Sequence, residues 1–151
     1  MSDFGFFYVV GTTETVVDPA ITTLEGALNW LSTPASIELH DSYVIQLDGD
    51  EGVASRKILQ CSDDNKQVTV KIRRFNAADS STAAAVITFT GTTANGMLEV
   101  GKGVTLILDN KITVSGEGSP SMDGYTYSGF IVVQGGTLRM LTGSTITKVA
   151  A

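Results

Sequence analysis

Apolar and polar residues alternate in short runs along most of this chain. The cleanest run sets Val68, Val70 and Ile72 against Thr69, Lys71 and Arg73. A period of two places successive side chains on opposite faces of a strand. Further runs rich in Val, Ile, Leu and Thr predict strands at residues 6–10, 43–47, 57–60 and 86–89. Helical spacing occurs in one place. Leu24, Ala27, Leu28 and Leu31 share a face. Thr22 and Glu25 read as a capping box ahead of it, and Pro34 stops it. The spacing predicts one helix over about 23–32.

The alternation is also repeated. Gly96-Met97-Leu98-Glu99-Val100, Gly101-Lys102-Gly103, Val104-Thr105-Leu106-Ile107-Leu108 and Ile112-Thr113-Val114 form one copy. Gly129-Phe130-Ile131-Val132-Val133, Gln134-Gly135-Gly136, Thr137-Leu138-Arg139-Met140-Leu141 and Ile146-Thr147 form the next. Gly96 and Gly129 lie 33 positions apart, as do Gly103 and Gly136. Such a period marks a solenoid. Three strands per copy with glycine corners describe one coil of a parallel β-helix. Leu106, Leu108, Leu138 and Met140 are expected inside; Thr105, Ile107, Thr137 and Arg139 are expected outside. Ile112 maps to Ile146, 34 positions on, which predicts one extra residue in the later copy near Leu141-Thr142-Gly143. An antiparallel meander is the alternative, but Asn95-Gly96 is the sole Asn-Gly hairpin signal. The expected fold is therefore all-β: a right-handed parallel β-helix solenoid with one N-terminal capping α-helix. One domain spans residues 1–151, with a cap over 1–42 and coils over 43–151. The capping helix closes the first coil, and Trp30 packs at its margin.

Composition narrows the classes. Of 151 residues, 42% are hydrophobic and 17% charged, which suits a core and disfavours disorder. The net charge of −6 disfavours nucleic acid and anionic membrane as partners. No apolar run reaches the ~20 residues needed to insert in a membrane. The apolar residues 4–10 lack a basic flank and a cleavage site, so they read as a strand and not a signal peptide. Cys61 is the one cysteine and reads as a small buried residue.

The two glycine-punctuated copies, with the Phe7-Tyr8-Val9-Val10 start, the capped helix and the Tyr43 strand, resemble bacterial surface repeat proteins of the right-handed β-helix, pectate-lyase-like type. The resemblance implies an extracellular or cell-surface location and a structural or adhesive role, with glycans or a host or cell-surface protein as partners. Such proteins run for many coils, so the chain is also read as the N-terminal part of a longer solenoid. Enzymes of this fold use clustered aspartates for calcium with an arginine or lysine as base.

The candidates for that chemistry are sparse. Asp48, Asp50 and Glu51 are spaced to gather oxygens around Ca2+, but a solvated turn explains them as well. Asp63 and Asp64 read as a polar turn, and His40, the one histidine, as a cap or surface residue. Outward Lys71 and Arg73 form a candidate interaction surface for an acidic polymer, or else a charged edge that deters strand pairing. Residues 116–128, with Tyr125 and Tyr127, are expected to loop out from the wall and offer a second contact surface. Ile146 and Val149 would form an assembly edge, joining further coils of the same chain or another copy. Three functions follow: a non-enzymatic structural or adhesive module, a polysaccharide-binding or lyase-like protein, and an end-to-end fibre subunit.

Overall fold

In the computed structural model, residues 3–89, 98–115 and 131–147 are described. Thirteen strands dominate these residues: β1 (Gly5–Val10), β2 (Thr13–Val16), β3 (Ser42–Leu47), β4 (Glu51–Val53), β5 (Lys57–Leu59), β6 (Val68–Arg74), β7 (Ala85–Phe89), β8 (Leu98–Val100), β9 (Val104–Leu108), β10 (Ile112–Ser115), β11 (Ile131–Val133), β12 (Thr137–Met140) and β13 (Thr145–Thr147). Two short helices, α1 (Leu24–Leu31) and α2 (Pro34–Ile37), complete them. The all-β class read from the alternation holds.

The strands form three sheets, and the chain visits them in turn. One sheet runs β12-β9-β6-β3-β1-β2, the second β13-β10-β7-β4, the third β11-β8-β5. Every pairing from β3 onward is parallel. The first sheet is mixed, because β1 joins β3 and β2 antiparallel. Each pass through β3-β4-β5, then β6-β7-β8, then β9-β10-β11, therefore makes one level. Like residues stack between levels. Tyr43, Val70, Leu106 and Leu138 form one interior column, and Ile45, Ile72, Leu108 and Met140 another. Leu106 and Leu108 are fully buried, as the alternation predicts.

Several expectations change. No strand is expected at residues 13–16, yet one forms there. Gly11 and Thr12 alone turn, and β2 follows; Gly11 sits at φ +64°, which glycine adopts without steric cost. The N-cap of α1 is Thr23, whose Oγ1 accepts from Gly26 N–H at 3.1 Å, so Thr22 and Glu25 form no capping box. Pro34 does end the first helix, yet it also opens α2 from N1, a position that needs no N–H donor.

The slip between copies also runs the other way. Leu98 pairs with Ile131, 33 residues on, but Thr105 pairs with Thr137 and Thr113 with Thr145, each 32 on. The later copy is one residue shorter before β12, and nothing is added at residues 141–143. Ile112 and Ile146 are alike in sequence but do not stack. The corner sets the register: Lys111 and Gly143 both hold positive φ, and Lys111 N–H donates to Gly143 O at 3.0 Å. Ile146 then falls over Val114. The shorter turn packs tightly, since a Cβ on Gly136 would lie 2.5 Å from Gly101 O.

Candidate functional site

The level formed by β3, β4 and β5 ends under α1. Leu24, Ala27, Leu28 and Leu31 are buried there beside Ile37 of α2, and α1 packs on all three strands. Trp30 lies edge-on between Phe6, at 5.6 Å, and Tyr43, at 5.7 Å, in the packing role expected of it. The Tyr43 hydroxyl donates to Ile37 O at 2.9 Å and accepts from His40 N–H at 3.2 Å. Burial pushes its pKa up to about 12. His40 stacks on Tyr8 with ring centroids 3.7 Å apart and planes nearly parallel.

Two charged side chains sit at interior positions of this level, and the strand alternation alone did not single them out. Lys57 stacks under Leu98, and Glu51 under Ile87. Lys57 is 3% exposed. Its Nζ reaches Glu25 Oε2 at 3.1 Å and also bonds the Ser55 hydroxyl. The same Glu25 oxygen accepts from Ala54 N–H and Ser55 N–H at 3.2 Å each. Burial raises the Glu25 pKa, but the Lys57, Ser55 and Ala54 hydrogen bonds outweigh it and hold the group below the usual range. Glu51 Oε1 accepts from Leu24 N–H at 2.9 Å, at the positive end of α1. Here burial wins, with Asp48 adding repulsion, and the Glu51 pKa is raised.

The calcium candidates are thereby divided. Glu51 serves α1, Asp50 Oδ1 accepts from Val86 N–H at 2.9 Å, and Asp48 Oδ2 accepts from Asp3 N–H at 3.0 Å. Each carboxylate meets a backbone donor from a different segment. Among the described residues no three His, Cys, Asp or Glu side chains gather as a metal set. The Asp63 turn is as expected, with Asn65 N–H on Asp63 Oδ1 at 2.8 Å, while Asp64 holds Lys102 at 2.5 Å.

The basic candidates line one groove but differ in their partners. Arg73 forks onto Glu14 of β2, at 2.5 and 2.8 Å, and donates to Gln46 at 3.0 Å. That bidentate pair holds Glu14 below its usual pKa. Arg73 is thus a tie between β6 and the hairpin. Lys71 lines a groove of about 460 Å³ on the outer face of the mixed sheet, with Ser42, Thr69, Ile107 and Asp109. Ile107, expected outside, is on that face but only 7% exposed. Tyr125, Tyr127 and Val149 lie outside the described residues.

No family model, curated protein or solved structure matches this chain.

At the far end of the sheets lie β11, β12 and β13. Ile146, the assembly-edge candidate, is 39% exposed there, and Met140, expected inside, is 44% exposed. Met140 does point inward, over the fully buried Leu108. It is exposed because no described residue stacks above it. Among the described residues, charged groups are joined in ties between segments distant in the chain.

Proposed function

We propose that this chain is a right-handed parallel β-helix acting as a non-enzymatic structural module at an extracellular or cell surface. The observation that carries the reading is where the charged groups go. Arg73–Glu14, Arg56–Glu99, Lys66–Asp41, Lys102–Asp64 and Lys57–Glu25 each link segments at least 25 residues apart. An acid–base catalyst needs titratable groups converging on one point; these groups are paired off along the stack. The strand order β3-β6-β9-β12 supports the coil, and parallel strands joined by a crossover are right-handed in about 98% of cases. The surface location and adhesive role rest on resemblance to repeat proteins of this kind.

The groove beside Lys71 favours a second reading, a polysaccharide-binding wall. It offers hydroxyls, an ammonium and an apolar floor at Ile107 on one face. One experiment separates the readings: binding and turnover assays on neutral and acidic polysaccharides, with and without calcium, on wild type and Lys71→Ala. No turnover and no Lys71-dependent binding is the expected result. Turnover lost in Asp50→Asn would overturn the structural reading, and binding lost in Lys71→Ala would replace it with the second.

A further inference from the structure

We infer that the open end of the stack, formed by β11, β12 and β13, is a self-association surface that pairs two copies of this chain about a two-fold axis. The inference rests on the coil reading above. Three exposed apolar residues at this end continue buried columns. Val133 stacks on Val100, Met140 on Leu108 and Ile146 on Val114, each of the lower residues being at most 1% exposed. Val133, Met140 and Ile146 are therefore interior residues lacking, among the described residues, a next level.

Among the described residues, the edge also lacks the devices that keep strand edges apart. Natural edges carry inward charges, prolines, lysines or a covering helix. The opposite end has inward Lys57 and Glu51, with α1 over them. Residues 131–147 include one charged residue, the outward Arg139, and no proline. Unpaired strand backbone asks for another strand, so the partner must offer strands in three sheets at once.

A second copy can do so only with its own open end. At the capped end β2 runs parallel to β12, so the mixed sheet alone could accept head-to-tail pairing. The other two sheets stop there under α1, where Asn29 is exposed. Tail-to-tail contact sets β12 antiparallel to its mate, with β13 over the mate's β11. Pairing Leu138 with the partner's Leu138 continues the Leu106–Leu138 column across the seam and sets Met140 over the partner's Gly136. It also sets Arg139 opposite the partner's Thr137, which avoids a like-charge pair. The contact is self-complementary and closes at two copies. The strands are short, so the contact is small.

The test is sedimentation equilibrium on the 151-residue chain over a concentration series, with hydrogen exchange on the same samples. Wild type is expected to pass from monomer to dimer and stop there. Ile146→Lys and Met140→Lys should each weaken the dimer by about tenfold or more, since each would bury a cation against its neighbour. Leu39→Lys, on an exposed residue near the capped end, should leave the Kd unchanged. Open-ended growth, or a monomer at every concentration, overturns the two-fold. Failure of the coil reading looks different: the amides of residues 104–108 would then exchange freely at any concentration.

Discussion

The two ends of this molecule solve one problem in opposite ways. Both finish a stack of parallel strands, and both would leave apolar columns and unpaired backbone exposed. At the capped end the columns run up against Leu24, Leu28 and Leu31, all at most 1% exposed. The interior positions of β4 and β5 carry Glu51 and Lys57, whose charges meet α1 rather than apolar partners. At the open end the same columns finish in Ile146 and Ile131, with no charge among them. Interior charge thus coincides with the end that α1 covers, and the described residues at the other end carry none in those columns.

The largest effect should come from planting a charge at each end in turn. Leu28→Asp is expected to cost several kcal/mol, because a carboxylate would be buried without a partner. Met140→Asp should cost about 1 kcal/mol or less, as surface changes do, when measured at concentrations that keep the chain monomeric. Urea unfolding of both variants makes the measurement. Equal losses would mean that the open end is covered, and the contrast between the ends would disappear.

A smaller effect should separate charge from packing at the capped end. Lys57→Ala is expected to destabilise by about 1–3 kcal/mol, since Glu25 and Ser55 lose a buried donor. Lys57→Met keeps most of the volume and removes the charge. If thermal unfolding finds Lys57→Met as stable as wild type, the column there needs only bulk, and the interior charge has no role in ending the stack.

Much of this architecture could be read from residue order, and the reasons for the exceptions are physical. The strand at residues 68–74 alternates and appears as expected, because its inward residues stack on like residues on both sides; the strand at 104–108 appears too, but with Ile107 covered on the outer face. The α1 stripe is visible for the same reason. The interior places of Lys57 and Glu51 were not legible, because Lys57 opens a short strand and Glu51 reads as part of the acidic turn. Their burial depends on α1, some 20–30 residues earlier in the chain. The acidic turn looked like a cation site by spacing alone, but spacing carries no information on which backbone donors arrive from elsewhere. Asp50 meets Val86 N–H across 36 residues. The register slip was misjudged because identical residues were aligned, whereas the corner at Lys111 and Gly143 fixes which residues stack.

The smallest expected effect is also the most specific to the capped end, because its two carboxylates should respond oppositely to pH. Glu25 has a lowered folded pKa. Its contribution is present above the unfolded value and is lost as pH falls through the folded one. Glu51 has a raised folded pKa. Between its ordinary value and the raised one, the folded state holds a proton that the unfolded state releases. Stability from Glu51 therefore falls as pH rises through that window, and is flat above it. Glu51→Gln removes this penalty while its side-chain oxygen can still accept from Leu24 N–H. It gives up only the attraction between a charge and the start of α1, about 0.3–1 kcal/mol. Burial outweighs that attraction in the raised pKa, so Glu51→Gln should be neutral or slightly stabilising at pH 7, while Glu25→Gln should destabilise. Urea midpoints from pH 4 to pH 7 would show the Glu51→Gln gain shrinking toward acid as the wild-type carboxyl takes up its proton. A clear loss of stability in Glu51→Gln at pH 7 would mean that α1 is held by the charge itself. The end of the stack would then be closed by an ion–dipole contact more than by its buried leucines.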